Sequence, residues 1–196
     1  MFWNIESLEK VVKYVFENIG NIFSAKKVAD YFKSQQRSID VETVYNYLNA
    51  LEGAFIIYKV PRYDLQGKEI LQTNEKYFIG DQGLKYAVMG YKDRDISGIL
   101  ENIVFLELKR RGYKVYVGKV DDKEIDFIAI RKEEKVYIQV AYKLYEQSTI
   151  EREFKPLLNL KDHYPKYVVT LDDFFKDNIE GVKHKHLSEF LLMKEF

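Results

Sequence analysis

Four runs decide the fold: Gly-Ile-Leu-Glu-Asn-Ile-Val-Phe-Leu-Glu-Leu-Lys-Arg-Arg-Gly at 98–112, Tyr-Lys-Val-Tyr-Val-Gly at 113–118, Glu-Ile-Asp-Phe-Ile-Ala-Ile at 124–130 and Val-Tyr-Ile-Gln-Val-Ala-Tyr at 136–142. In the first, Leu100, Val104, Phe105 and Leu108 recur at helical spacing, and Gly112 supplies the stop. The other three are rich in β-branched and aromatic residues and are separated by Asp121-Asp-Lys and by the polar run 131–135, as in strands joined by turns. Acids stand on the helix (Glu101, Glu107) and on the second strand (Asp126), whereas the third strand offers the neutral Gln139 and Ala141.

Working outward, 148–160 reads as a helix, 167–171 as a strand and 187–193 as a last helix. Lys183-His-Lys-His reads as a solvated loop, its two histidines being able to bind metal if the segment were a strand, and Lys109-Arg-Arg as a basic helix end that suits the dipole. The order α-β-β-β-α-β predicts a mixed sheet flanked by helices. Upstream, three helices are expected: one from Ser7 to Gly20, one at 25–34 capped by Ser24, and one at 41–51 capped by Asp40 and stopped by Gly53. A strand at 54–60, a polar loop at 61–75 and a strand around 77–79 follow, which is the order of a winged helix-turn-helix. The polar stretch 90–97 is the expected junction. The expected fold is thus α/β, with a winged helix over 1–90 and a helix-flanked sheet over 98–196.

Composition narrows the function. The 196 residues carry 31 basic and 31 acidic side chains, so no polyelectrolyte signature points to nucleic acid. The absence of cysteine removes disulfides, thiolate catalysis and zinc ribbons. No run approaches the roughly 18 apolar residues of a membrane span, and the first residues lack the pattern of a signal peptide. A cytoplasmic protein without a membrane partner is the expectation.

The segments 43–51, 100–108, 124–127, 137–142 and 164–172 together resemble the C-terminal portion of prokaryotic AAA-type ATPases. In that family an ATPase core precedes a winged helix and a nuclease-like domain of unknown function. The second half resembles the PD-(D/E)XK, restriction-endonuclease-like superfamily. The chain has no G-x-x-x-x-G-K-[ST] phosphate loop, so the ATPase core is missing from it.

The resemblance implies a site. Nucleases of that superfamily hold Mg²⁺ on carboxylates, which activates water and neutralises phosphate charge. Asp126 matches the first strand acid and Glu101 the helix acid, the two expected metal ligands. Gln139 stands at the second acid and Ala141 at the lysine; strand alternation would let Lys143 substitute for it. Simpler roles compete: Glu101 and Asn102 suit a helix start, Glu107 a solvated face, and Glu124 a polar strand edge. In the winged helix, Thr43 and Asn46, with Glu42 and Asn49, would face bases, while Lys26, Lys27, Lys33, Arg37 and, in the wing loop, Arg62 and Lys68 would meet phosphates.

These residues favour a DNA-binding or protein-docking module of an AAA-type ATPase, its nuclease-like domain degenerate, with DNA, the ATPase core or another protein as partner. A Mg²⁺-dependent DNase using Glu101, Asp126, Gln139 and Lys143 is the competing reading. A partner-binding or oligomerisation module without nucleic acid is the third.

Overall fold

The computed structural model describes residues 4–35, 38–90, 96–175 and 178–196, with Gln72 by its backbone alone. Helices α1 (Ile5–Glu17), α2 (Ala25–Ser34) and α3 (Val41–Gly53) come first. Each has a polar cap: Asn4 accepts from the Ser7 N–H, Ser24 from Lys27 and Asp40 from Thr43. Each also buries one apolar stripe, such as Val11, Val15 and Phe16 on α1.

Strands β1 (Ile57–Asp64) and β2 (Glu69–Ile79) form an antiparallel hairpin, followed by α4 (Gln82–Met89) and α5 (Ile96–Arg110). Then come β3 (Lys114–Val120), β4 (Lys123–Arg131), β5 (Glu134–Val140), α6 (Gln147–Leu158), β6 (Lys166–Thr170), β7 (Lys183–His186) and α7 (Leu187–Leu192). The seven strands make one mixed sheet in the order β2-β1-β3-β4-β5-β6-β7. β3, β4 and β5 run antiparallel in turn, and β5, β6 and β7 are parallel.

Two expectations about strands change here. The polar stretch 61–75 is mostly strand rather than loop, because β1 has partners on both sides: Arg62 lies opposite Leu71 of β2 and Val117 of β3. The turn shrinks to 65–68, where Asp64 accepts from the Gln66 and Gly67 N–H groups and Lys68 takes a positive φ of 54°. The second change is at Lys183-His-Lys-His, which is strand β7 rather than a solvated loop. His184 is buried there, its Nε2 2.8 Å from the Thr170 hydroxyl. His186 turns to cap α7, accepting from the Ser188 N–H.

The core lies on both faces of the sheet, and β4 changes sides where its register with β3 shifts between Ile125 and Ile128. Phe127, Ala129, Val136 and Ile138 face α1–α3 and α5, while Ile125, Ile128 and Tyr137 face α6. On the first face Phe105 of α5 stacks on Phe78 of β2 at 4.7 Å, and Phe78 meets Phe127 of β4 at 5.4 Å. The neighbouring Asn102, fully buried, accepts from the Ile79 N–H at 2.7 Å and donates to the Ile79 carbonyl at 3.1 Å. Asn102 therefore seats α5 on β2 instead of starting a helix. At the far end of α5, Glu107 is buried rather than solvated, because Arg110 and Arg111 close on it with charge-assisted hydrogen bonds. Arg111 also donates to the Phe190 and Leu191 carbonyls, so this basic helix end fastens α7. Among the described residues no helix is long and apolar enough to cross a membrane.

Candidate functional site

Where α5 crosses β2 and β4, four charged side chains meet. Phe78 points into the core, so alternation carries Lys76 inward too, and only 3% of it is exposed. Its ammonium lies 3.6 Å from Glu101 Oε2 of α5 and 3.8 Å from Asp126 Oδ1 of β4, and it contacts Glu124 directly. Glu124 is thus not a solvated strand edge. Gly20 presses on the same spot: a Cβ built there would stand 2.8 Å from Glu101 Oε2. Gly20 also has a positive φ of 76°, a conformation that favours glycine.

Gln139 of β5 continues the cluster. Its Oε1 accepts from the Asp126 N–H at 3.3 Å, and its Nε2 donates to Glu153 of α6 at 3.0 Å. Asp126 Oδ2 accepts from the Val140 N–H at 2.8 Å. An open cleft of about 420 Å³ runs above, its floor including Glu101, Asp126, Gln139 and Glu153 and its rim Tyr142, Lys143, Tyr145 and Arg152.

The electrostatics follow from one cation among several acids. Burial opposes the charge of Lys76, but Asp126, Glu101 and Glu124 outweigh it and hold the ammonium above its ordinary pKa. Burial, then repulsion from Asp126, pushes Glu101 up to about 8 against the pull of Lys76. Burial also pushes Asp126 up to about 6, with Lys76 and the Val140 N–H pulling back. Glu101 Oε2 is buried without a hydrogen-bond partner among the described residues, since Lys76 is too distant to donate.

These contacts decide how well the site suits a metal. Mg²⁺ needs free oxygen ligands in octahedral array. Here the ammonium of Lys76 lies within 3.8 Å of both expected ligands, Glu101 and Asp126, and Gln139 is committed to Asp126 and Glu153. Among the described residues, no group of three His, Cys, Asp or Glu could hold a metal ion. The donor set does not fit a divalent ion while Lys76 is in place.

Of the expected site residues, Glu101, Asp126 and Gln139 come together, and Lys143 lines the same cleft from its rim. β5 ends at Val140, so the alternation meant to align Lys143 with Gln139 stops short. The Lys143 ammonium bonds the Tyr145 hydroxyl at 2.5 Å instead. Lys76 was the residue sequence reasoning missed. The signal was the spacing Lys76-x-Phe78, hidden because 61–75 read as loop.

The expected nucleic-acid contacts divide. Lys26, Lys27 and Lys33 are exposed on α2, and Lys68 is exposed at the hairpin turn. The Thr43 hydroxyl is engaged, donating to Asp40 Oδ2 at 2.8 Å, and Asn46 is half-buried. Arg62 sits within β1 rather than in a wing loop, with a buried Nε that has no partner among the described residues. Arg37 lies outside the described residues.

Known proteins add relatives but no activity. A family model described as a domain of unknown function (DUF8612) matches residues 3–95. The chain is similar to an uncharacterised protein of Haemophilus influenzae, 40% identical over 185 residues that cover 94% of this chain and 46% of the relative. It is also similar to an uncharacterised protein of Methanocaldococcus jannaschii, 31% identical over 198 residues covering 96% of this chain and 43% of the relative. The chain therefore spans less than half the length of these curated relatives.

Proposed function

We propose that this chain is a non-cutting, nuclease-like module joined to a winged-helix-like unit, which serves a longer AAA-type ATPase as a DNA-binding or protein-docking part. The order α5-β3-β4-β5-α6-β6, with acids on its first helix and second strand, supports the nuclease-like half. The order α1-α2-α3-β1-β2, with exposed Lys26, Lys27, Lys33 and Lys68, supports the winged-helix half. The extra length of the relatives leaves room for an ATPase core. One observation carries the inactive reading: a built-in ammonium, Lys76, sits among the acids that would otherwise bind metal.

The competing reading, a Mg²⁺-dependent DNase, draws on the convergence of Glu101 and Asp126 on one open cleft. The test is incubation with plasmid and single-stranded DNA plus Mg²⁺, Mn²⁺ or chelator, with titration calorimetry of each ion. No metal-dependent cleavage and no ion binding are expected. Cleavage that requires metal and is lost in Asp126→Ala would overturn the proposal.

A further inference from the structure

The rim of the cleft differs in kind from its floor. Tyr142 is 41% exposed and Tyr145 71% exposed, large aromatic surfaces left to water. Neither ring packs against another ring among the described residues. Lys143 stands between them, 5.3 Å from the Tyr142 centroid and 5.0 Å from that of Tyr145. Arg152 adds a second exposed cation, paired with Glu153.

The backbone beneath these side chains is clamped. The Ala141 N–H donates to the Val169 carbonyl, and the Tyr142 carbonyl accepts from the Leu171 N–H at 3.0 Å. The Leu144 N–H donates to Asp172 Oδ2 at 2.9 Å, and the Leu144 side chain is buried. A segment fixed at 141, 142 and 144 presents residues 142, 143 and 145 outward without the ordering cost of a free loop.

We propose that Tyr142, Lys143, Tyr145 and Arg152 form a binding platform for single-stranded nucleic acid. The two rings stack on unpaired bases, and the two cations take the phosphates. A duplex hides its base faces in its own stack and so presents nothing to the rings. The acids of the floor repel phosphate, which keeps the strand on the rim and away from Asp126. The platform names a ligand for the cleft of the non-cutting module, yet it depends on the rim and not on whether the floor is inactive.

The test is fluorescence anisotropy of the whole chain with a labelled oligothymidylate of about 16 nucleotides, beside a duplex of equal length, at low and moderate salt. The single strand should bind more tightly than the duplex and weaken with salt. Tyr145→Ala should weaken it about tenfold, a typical stacking loss. Tyr142→Ala should act in the same direction, and Tyr145→Phe, which keeps the ring, should bind as the parent does. Thermal melting checks that the exposed-site variants stay folded. Failure of the parent chain to bind the single strand, or undiminished binding by Tyr142→Ala/Tyr145→Ala, would overturn the platform. The cleavage assay above reads the floor separately, so the two proposals fail by different results.

Discussion

Asp126 and Asp172 are both buried aspartates beside the sheet, yet their carboxyls move in opposite directions. Asp126 is raised and Asp172 lowered. Both feel burial first, which favours the neutral form. Asp172 then receives three backbone N–H groups, from Leu144, Phe174 and Phe175, and these replace the water it lost. Asp126 receives one strong backbone bond, from Val140, and shares a single lysine with Glu101 and Glu124. Asp126 lies deeper among protein atoms than Asp172 and has fewer donors aimed at it, and both differences push the two acids apart. The first cluster is a loop organiser, and the second is a crowd of like charges held by one cation.

The strongest challenge to this contrast is Lys76→Met. Removing one partner of a buried ion pair costs about 3–5 kcal/mol, and three acids would be left facing one another. The loss should be greatest at pH 8 and shrink as acid protonates Glu101 and Asp126; urea denaturation at several pH values reads it. Equal loss at all pH values would mean that Lys76 acts by packing alone.

Asp172→Ala should cost less, about 2 kcal/mol, as buried N–H groups lose their acceptor. Because its pKa is lowered in the fold, Asp172 contributes stability above its unfolded value of 3.8, and this is lost as pH falls through the lower folded value. The variant should therefore unfold less steeply in acid than the parent, in a denaturation series below pH 4.

Glu101→Gln sharpens the other side. The raised pKa of Glu101 means that the fold prefers the protonated acid, so its contribution is present below 4.5 and lost as pH rises toward about 8. In thermal melts the parent should weaken across that range more than the variant. A steeper decline in the variant would sink the argument. The smallest effect belongs to His184, which burial keeps neutral. Its folded pKa is lowered, so stability is present above 6.5 and lost as pH falls. His184→Gln should reduce the decline in melting temperature between neutral pH and pH 5 without changing the alkaline side.

Much of the second half was legible because its apolar runs are bounded by clear turns. Helical spacing of Leu100, Val104, Phe105 and Leu108 marks α5, and β-branched and aromatic runs mark β4 and β5, so Glu101, Asp126 and Gln139 could be placed together. The mixed, helix-flanked sheet follows from that order. Lys76 escaped because β2 is polar over much of its length, and its pairing partner β1 is stabilised from the far side by β3. β7 escaped for a related reason: Lys183-His-Lys-His has no apolar period, and it is a strand through its ladder with β6. Local pattern reports faces that meet apolar neighbours; strands made by their neighbours' hydrogen bonds leave little trace in it.

The β1–β3 ladder also governs how this polypeptide can be divided. A cut between α4 and α5 would strip β3 of its neighbour and bare a row of unpaired amides on each piece, edges that invite pairing with other chains. It would also part Lys76 from Glu101, Glu124 and Asp126. Within this chain the early helices with their hairpin and the later strands would move together, as one mechanical body.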